Sequence, residues 1–280
     1  MEVRDILIFF AMCIFSYLLG GVSIARLITK KEKEGSINSQ GSGNPGTMNM
    51  LRTHGLFMGL FTLFCDALKG VIPALFSLLY FGYVADMRIA YIGIFVFGFL
   101  AVVGHIFPIY YKFKGGKGIA TTFGVFMVAD PLSTVILFGI LFVVLYFIRI
   151  GSVVSLLFIT IDAILQFFKE SMEANAIALI FMCLMVLLDI YAHRANLARL
   201  MENKENPASL QDGLKKDIEK IKNTKSKKLE KIEKKYQEKI DKKHAKVQKK
   251  LEKFQNDEPN SETVEDSTEE EKEEIKKDKE

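Results

Sequence analysis

The sequence predicts an all-α, polytopic integral membrane protein of about seven transmembrane helices, some of them short, plus a charged cytoplasmic C-terminal tail, partly helical and partly disordered. Three observations carry this. Half of the 280 residues are hydrophobic, with 23 Phe and no Trp, yet a quarter are charged. The two kinds are segregated: residues 6–190 are apolar blocks broken by short polar loops, and residues 202–280 are almost wholly Lys, Glu, Asp, Asn and Gln. The apolar blocks are of the length a membrane asks for, since a hydrocarbon core about 30 Å thick takes roughly 20 residues at about 1.5 Å each. The organisation expected is an embedded domain over 1–203, a basic amphipathic helix or coiled coil over 204–256, and an acidic disordered end over 257–280.

The first span is 6–28. A cleavable signal peptide is the competing reading, but the n-region holds only Arg4 against two acids and no A-x-A-like site follows before Arg26. The next spans are 56–84, interrupted by Asp66 and Lys69, then 89–111, 119–129, 132–148, 153–168 and 174–190. The segment 119–129 would be only about 16 Å long as a helix, and a half-depth helix there makes the count ambiguous. The Lys- and Arg-rich stretches are 30–52, 112–117 and everything from Arg194 onward, and the positive-inside rule places all three in the cytoplasm. With the N-terminus outside, parity gives seven spans. Cys13, Cys65 and Cys183 each sit inside an apolar block without CxxC spacing and read as packing residues, not as disulfide or metal ligands. Nothing calls for a metal or cofactor.

The three basic stretches share one membrane face. In GSGNPGTMNMLRTHG (41–55), Gly41, Gly43, Asn44, Pro45 and Gly46 exclude a regular helix and favour a turn with inward N–H groups, which binds anions. Ser42 and Thr47 add hydroxyls, Asn44 and Asn49 amides, and Arg52 a planar fork that grips phosphate at two oxygens. In GGKG (115–118), the residues Ile119 to Thr122 can open a helix whose free N–H groups and positive dipole end face the loop beside Lys117. It is not a Walker A loop, which needs GxxxxGK[ST] between a strand and a helix. In YAHRANLARL (191–200), His193 and Asn196 are three apart and share a helix face. Bland readings stand beside each: a charged loop, a flexible loop without ligand, an interfacial histidine. Together, Ser42, Arg52, Lys117, His193 and Asn196 form a constellation able to hold a phosphate monoester.

The chain resembles the membrane-embedded acyl-phosphate:glycerol-3-phosphate acyltransferases of bacteria, the PlsY family. The resemblance rests on GSGNPGTMNMLRTHG, on DALKG (66–70), on GHIFPIYYKFKGGKGIATTFG (104–124) and on HRANLARL (193–200), in the family's order and approximate spacing, over about 6–203. It implies a seven-helix enzyme that moves a fatty acyl group from acyl phosphate to the sn-1 hydroxyl of glycerol 3-phosphate, giving lysophosphatidic acid and inorganic phosphate, the first step of phospholipid synthesis. It places catalytic contacts on Ser42, Arg52, Lys117, His193 and Asn196. Around them Gly41, Gly43, Asn44, Gly46, Thr47, Asn49, Gly115, Gly116, Gly118 and Thr121 are expected substrate contacts, with the GGKG glycines as a backbone cradle. Expected partners are the two substrates, membrane lipids and, as a candidate, the acyl-phosphate-forming enzyme. Where the first motif usually reads GATN or GTTN this chain has Met48, so a hydroxyl is lost there unless Thr47 compensates.

An acyl phosphate already carries its leaving group, so no Ser or Cys nucleophile is needed. Holding two anions together and stabilising carbonyl charge is. His193 ranks first as a substrate ligand and second as a general base, since a substrate phosphate can take the proton. His105, Asp66 and Lys69 read as structural support, the last two as a pair because charges inside an apolar stretch are costly. No His has Asp five positions on, which disfavours the HxxxxD mechanism of thioester-using acyltransferases. In the tail, apolar residues from Leu214 to Phe254 recur mostly at steps of three and four among lysines. The tail's partner is unknown, with anionic lipid and the acidic end as options, and nucleic acid is disfavoured for want of aromatic platforms. A transporter of phosphorylated metabolites and a non-catalytic scaffold are the rival functions.

Overall fold

A computed structural model of the chain describes residues 2–32, 37–172 and 175–256. The acidic end expected at 257–280 lies outside the described residues, as do 33–36 of the first basic stretch and 173–174 of the turn before the last span. Among the described residues the architecture is all-helical: α1 (Val3–Gly20), α2 (Ile24–Glu32), α3 (Thr47–His54), α4 (Leu56–Val84), α5 (Met87–Ile106), α6 (Ile119–Ala129), α7 (Pro131–Ile148), α8 (Gly151–Met172), α9 (Ala176–Ala192), α10 (Arg194–Met201) and α11 (Leu210–Asn256).

Among the described residues five helical segments are long and apolar enough to cross a membrane, and a sixth if α9 and α10, bent by 49°, count as one broken span. Two of the expected stretches take a different form. The stretch 6–28 breaks at 21–23, because α2 carries charge: the Arg26 guanidinium lies 4.3 Å from the Tyr111 ring centroid and donates to the Lys114 carbonyl at 2.5 Å, which ties α2 to the polar loop after α5. The other is α6, an eleven-residue helix too short to span.

What α6 lacks in length it gains in burial. Gly124 lies against the Ala67 backbone and Gly70 against the Thr121 carbonyl, so closely that a Cβ at either would overlap main chain. The two helices therefore touch along their backbones. Gly20 and Gly104 bring α1 and α5 together in the same way, against Ala101 and Tyr17. Ile94, Phe95, Val102, Val125, Phe126, Met182 and Met185 fill the centre where α5, α6 and α9 meet, and Leu137, Leu141, Leu145, Val154 and Phe158 join α7 to α8. The apolar residues of α7 that face away, among them Ile136, Ile140, Val143 and Phe147, are exposed, as expected of a helix bathed in lipid.

Buried charge-bearing residues inside the spans meet polar groups. Asp66 and Lys69 lie 2.6 Å apart, both buried, and Asp162 and Asp189 accept hydroxyl hydrogen bonds from Thr134 at 3.2 Å and Thr122 at 2.6 Å. The chain divides into two compact units, Met1–Glu219 and Lys220–Glu280. The first holds the spans, the polar loops and the opening turns of α11. The described part of the second is the remainder of α11.

Candidate active site

The first glycine-rich stretch is braced from within. Buried Asn49 accepts from the Ser42 amide at 2.8 Å through Oδ1 and donates to the Gln40 carbonyl at 3.0 Å through Nδ2. A second turn bond runs from the Gly43 amide to Gln40 O at 2.9 Å. Asn49 is thus committed to the loop's shape, and that shape delivers Ser42 and Thr47 to the start of α3. The Thr47 hydroxyl is buried with no partner in the protein, a donor left facing the cavity described below.

In the second stretch the amides of Gly115 and Gly116 donate to the carbonyls of Ile106 and His105, both at 3.0 Å. The expected cradle from these two amides is therefore taken up by the end of α5. What remains for a ligand is Lys117, Gly118 and the N-terminus of α6. Gly118 has φ +90°, and its Cα lies against the Asp189 carboxylate. Only glycine suits that backbone. Thr121 is buried and donates to the Asp66 carbonyl at 3.1 Å, which fixes α6 to α4.

At the third stretch α9 ends and the chain bends at His193. The His193 Nδ1 lies 2.8 Å from the Asp189 carbonyl oxygen. A carbonyl only accepts, so Nδ1 carries the hydrogen, and in the neutral ring Nε2 is left as an acceptor. That is the tautomer able to receive a hydroxyl proton.

These stretches converge on a cavity of about 140 Å³. Its polar end is lined by Ser42, Thr47, Arg52, Lys117, His193 and Asn196, with Asn44, Gly46, Asn49, Gly118, Asp66 and His105 also contributing. Gly41, Gly43, Gly115, Gly116, Thr121 and Lys69 lie outside the lining and support it from behind. Met48 does line it, beside Gly151. The opposite end is hydrocarbon, formed by Leu60, Phe123, Phe138, Leu141, Phe142 and Phe158. His105 Nδ1 is 3.9 Å from Asp66 Oδ1.

One functional residue escaped the sequence reading. Glu205, its side chain only 3% exposed, lies in the cavity wall and accepts from Asn196 Nδ2 at 2.5 Å, Arg199 Nε at 3.0 Å and Ser152 Oγ at 3.1 Å. Burial pushes its carboxyl up, but the hydrogen bonds from Asn196, Ser152 and Arg199 and the Arg199 charge outweigh that and hold it below the usual carboxylate range. The next two residues also serve the site: Arg52 donates through Nε to the Pro207 carbonyl at 2.6 Å and through Nη2 to the Asn206 carbonyl at 2.7 Å. This orients the guanidinium and leaves its remaining N–H groups for a ligand. The only hint in the sequence was proximity, nine residues after Asn196, within a tail full of other acids.

Lys117 sits among cations. Burial lowers its ammonium to about 8; the Glu205 carboxylate opposes that, and Arg199 and Arg52 add to it. A cationic pocket in which a lysine is so destabilised favours a polyanion, whose charge would restore it.

A family model described as "Glycerol-3-phosphate acyltransferase" matches residues 10–203, which hold every polar residue of the cavity wall except Glu205. This chain belongs to the glycerol-3-phosphate acyltransferase family. Among its relatives, the glycerol-3-phosphate acyltransferase of Halalkalibacterium halodurans is 37% identical over 200 residues, covering 70% of this chain and 93% of its own. That of Syntrophotalea carbinolica is 33% identical over 198 residues, covering 71% and 96%. Among solved structures, PlsY (YgiH), described as an integral membrane glycerol 3-phosphate acyltransferase in its glycerol 3-phosphate form, superposes with a TM-score of 0.64 at 30% identity, covering 73% of this chain and 97% of that one. The present acyltransferase is thus a membrane-embedded enzyme of that fold, and α11 follows the matched region.

Proposed function

We propose that this acyltransferase moves a fatty acyl group from acyl phosphate to the sn-1 hydroxyl of glycerol 3-phosphate, giving lysophosphatidic acid and inorganic phosphate. The observation that carries this reading is the two-ended cavity, cationic around Arg52 and Lys117 and hydrocarbon around Phe123, Phe138 and Phe158. Such a cavity suits a molecule with a phosphate head and an acyl chain. The solved PlsY structures bear the names of a glycerol 3-phosphate form and a lysophosphatidic acid form, which are the acceptor and product proposed for this chain.

The hydroxyl oxygen attacks the acyl carbonyl carbon, a new ester C–O bond forms, and the bond from that carbon to the phosphate oxygen breaks. The phosphate departs with the electron pair. Either His193 Nε2, free to accept, or the departing phosphate takes the hydroxyl proton. Lys117, Arg52 and the first N–H groups of α6 offset the charge that grows on the carbonyl and phosphate oxygens. None of the three cysteines lines the cavity, in keeping with direct transfer to the acceptor. The polar end of the cavity is read as cytoplasmic in a bacterial plasma membrane, because the basic loops share that face.

The test is inorganic phosphate release from a long-chain acyl phosphate by the purified enzyme, with and without glycerol 3-phosphate, beside Lys117→Ala. Release dependent on both acceptor and Lys117 is the expected result. Equal slow release in every tube sinks the proposal, and thiol release from acyl-CoA with glycerol 3-phosphate would replace the donor.

A further inference from the structure

The remainder of α11, in the second compact unit, has no role in the chemistry above, yet its sequence is strongly ordered. From Ile221 to Leu251, positions 221, 232 and 243, positions 225, 236 and 247, and positions 229, 240 and 251 form an eleven-residue repeat. Its steps run four, four, three. The nine residues are Ile221, Lys225, Leu229, Ile232, Tyr236, Ile240, Lys243, Val247 and Leu251, seven of them apolar. Eleven residues at about 100° each make three turns plus about 20°, so the stripe stays on one side of a straight helix. Ile221, Leu229, Ile232, Tyr236 and Leu251 are exposed.

Charge is sorted about that stripe. Beside it lie Lys228, Lys231, Lys235, Lys242, Lys246 and Lys249, which at about 100° per residue fall within about 60° of one another on one flank. Glu230, Asp241 and Glu252 fall on the far side. Over the whole of α11, 17 lysines face eight acids. A solvated helix needs charge but not this sorting, and a helix that closed against a second copy would gain little from eight acids set against so many lysines.

We infer that the Ile221–Leu251 face of α11 lies along a membrane surface bearing anionic phospholipid, with the apolar stripe at the acyl boundary and the lysine row among the headgroups. Charge complementarity selects this occupant. A protein whose other unit is embedded in a bilayer always has such a surface within reach. Lys225 and Lys243, costly in a buried helix–helix seam, extend their ammonium groups to the headgroups while their stems stay with the apolar stripe.

The test uses the full chain with Cys13, Cys65 and Cys183 replaced by serine or alanine, carrying an environment-sensitive fluorophore at Ile232→Cys or, on the far side, at Gln248→Cys. Each is placed in nanodiscs of phosphatidylcholine alone or with phosphatidylglycerol. The expected result is a blue shift at position 232 only, in anionic discs only, reversed by added salt and abolished by charge reversal of Lys231, Lys235, Lys242 and Lys246 to Glu. Acyl transfer by the labelled variants reports an intact fold. No shift in either disc, or equal shifts at both positions, overturns the inference. So does a shift already present in detergent that grows with protein concentration, which would assign the face to a second copy of the chain.

Discussion

Lys117 is expected to give this enzyme a pH dependence, because its surroundings set when it loses its charge. Burial, with Arg199 and Arg52 nearby, lowers its ammonium to about 8, and the Glu205 carboxylate opposes that shift. The sign follows directly. Below that pH the lysine is charged and attracts a phosphate, and above it the free enzyme is increasingly neutral there. KM for glycerol 3-phosphate should therefore rise as pH passes about 8, while kcat at saturation changes less, because a bound anion stabilises the charged form. Lys117→Ala should lower kcat/KM by about two to three orders of magnitude, in the range of a lost oxyanion donor, and the limb near pH 8 should vanish from its profile. A limb that persists in Lys117→Ala would assign the titration to another group.

Helix α6 is an element defined by its ends and its neighbours more than by its own residues. Its N-terminus is aimed at the cavity by Gly118, whose positive φ and contact with Asp189 leave no room for a side chain. Its length is too small to span, and its hold on the protein comes from Gly124 against Ala67 and from the Thr121 hydroxyl on Asp66. Gly118→Ala should cost about 1–3 kcal/mol in backbone strain, add an overlap with the Asp189 carboxylate, and displace the loop that carries Lys117. Acyl transfer should fall at least tenfold, and thermal unfolding in detergent should come at a lower temperature. A variant with wild-type turnover would show that the α6 N-terminus is not aimed as described.

The whole molecule places its unit boundary at Glu219, beyond the end of the family match at residue 203. The intervening segment is bound to the first unit at several points: Glu205 on Asn196 and Arg199, the Asn206 and Pro207 carbonyls on Arg52, Lys216 on the Arg52 carbonyl, and the Asp217 carboxylate on the Phe57 amide at 3.0 Å. That last bond satisfies one of the free N–H groups at the start of α4 and sets a negative charge at its positive end. Truncation after Glu219 should therefore leave acyl transfer in detergent within about twofold, whereas truncation after Asn203 should abolish it. Equal activity of the two shortened chains would show that the segment is dispensable to the site.

The sequence by itself determined the all-helical membrane class, because hydrophobicity over about 20 residues is a local property that a bilayer selects directly. It also pointed to which polar stretches meet, since three basic loops between apolar blocks are expected on one face, and Ser42, Arg52, Lys117, His193 and Asn196 do line one cavity. Tertiary structure alone decided what each loop residue does with its hydrogen bonds. Asn49, Gly115 and Gly116 look alike as candidate ligand contacts in a string of letters, whereas the fold bonds the Asn49 amide and the two glycine N–H groups within the protein. The broken first span depended on Arg26 finding Tyr111 and the Lys114 carbonyl, contacts across more than eighty residues. Glu205 was invisible for the opposite reason: one acid in a tail of acids and lysines differs from its neighbours only when folding buries it against Asn196, Arg199 and Ser152. Hydropathy is written residue by residue, whereas the identity of a hydrogen-bond partner depends on which distant backbone the fold brings within about 3 Å.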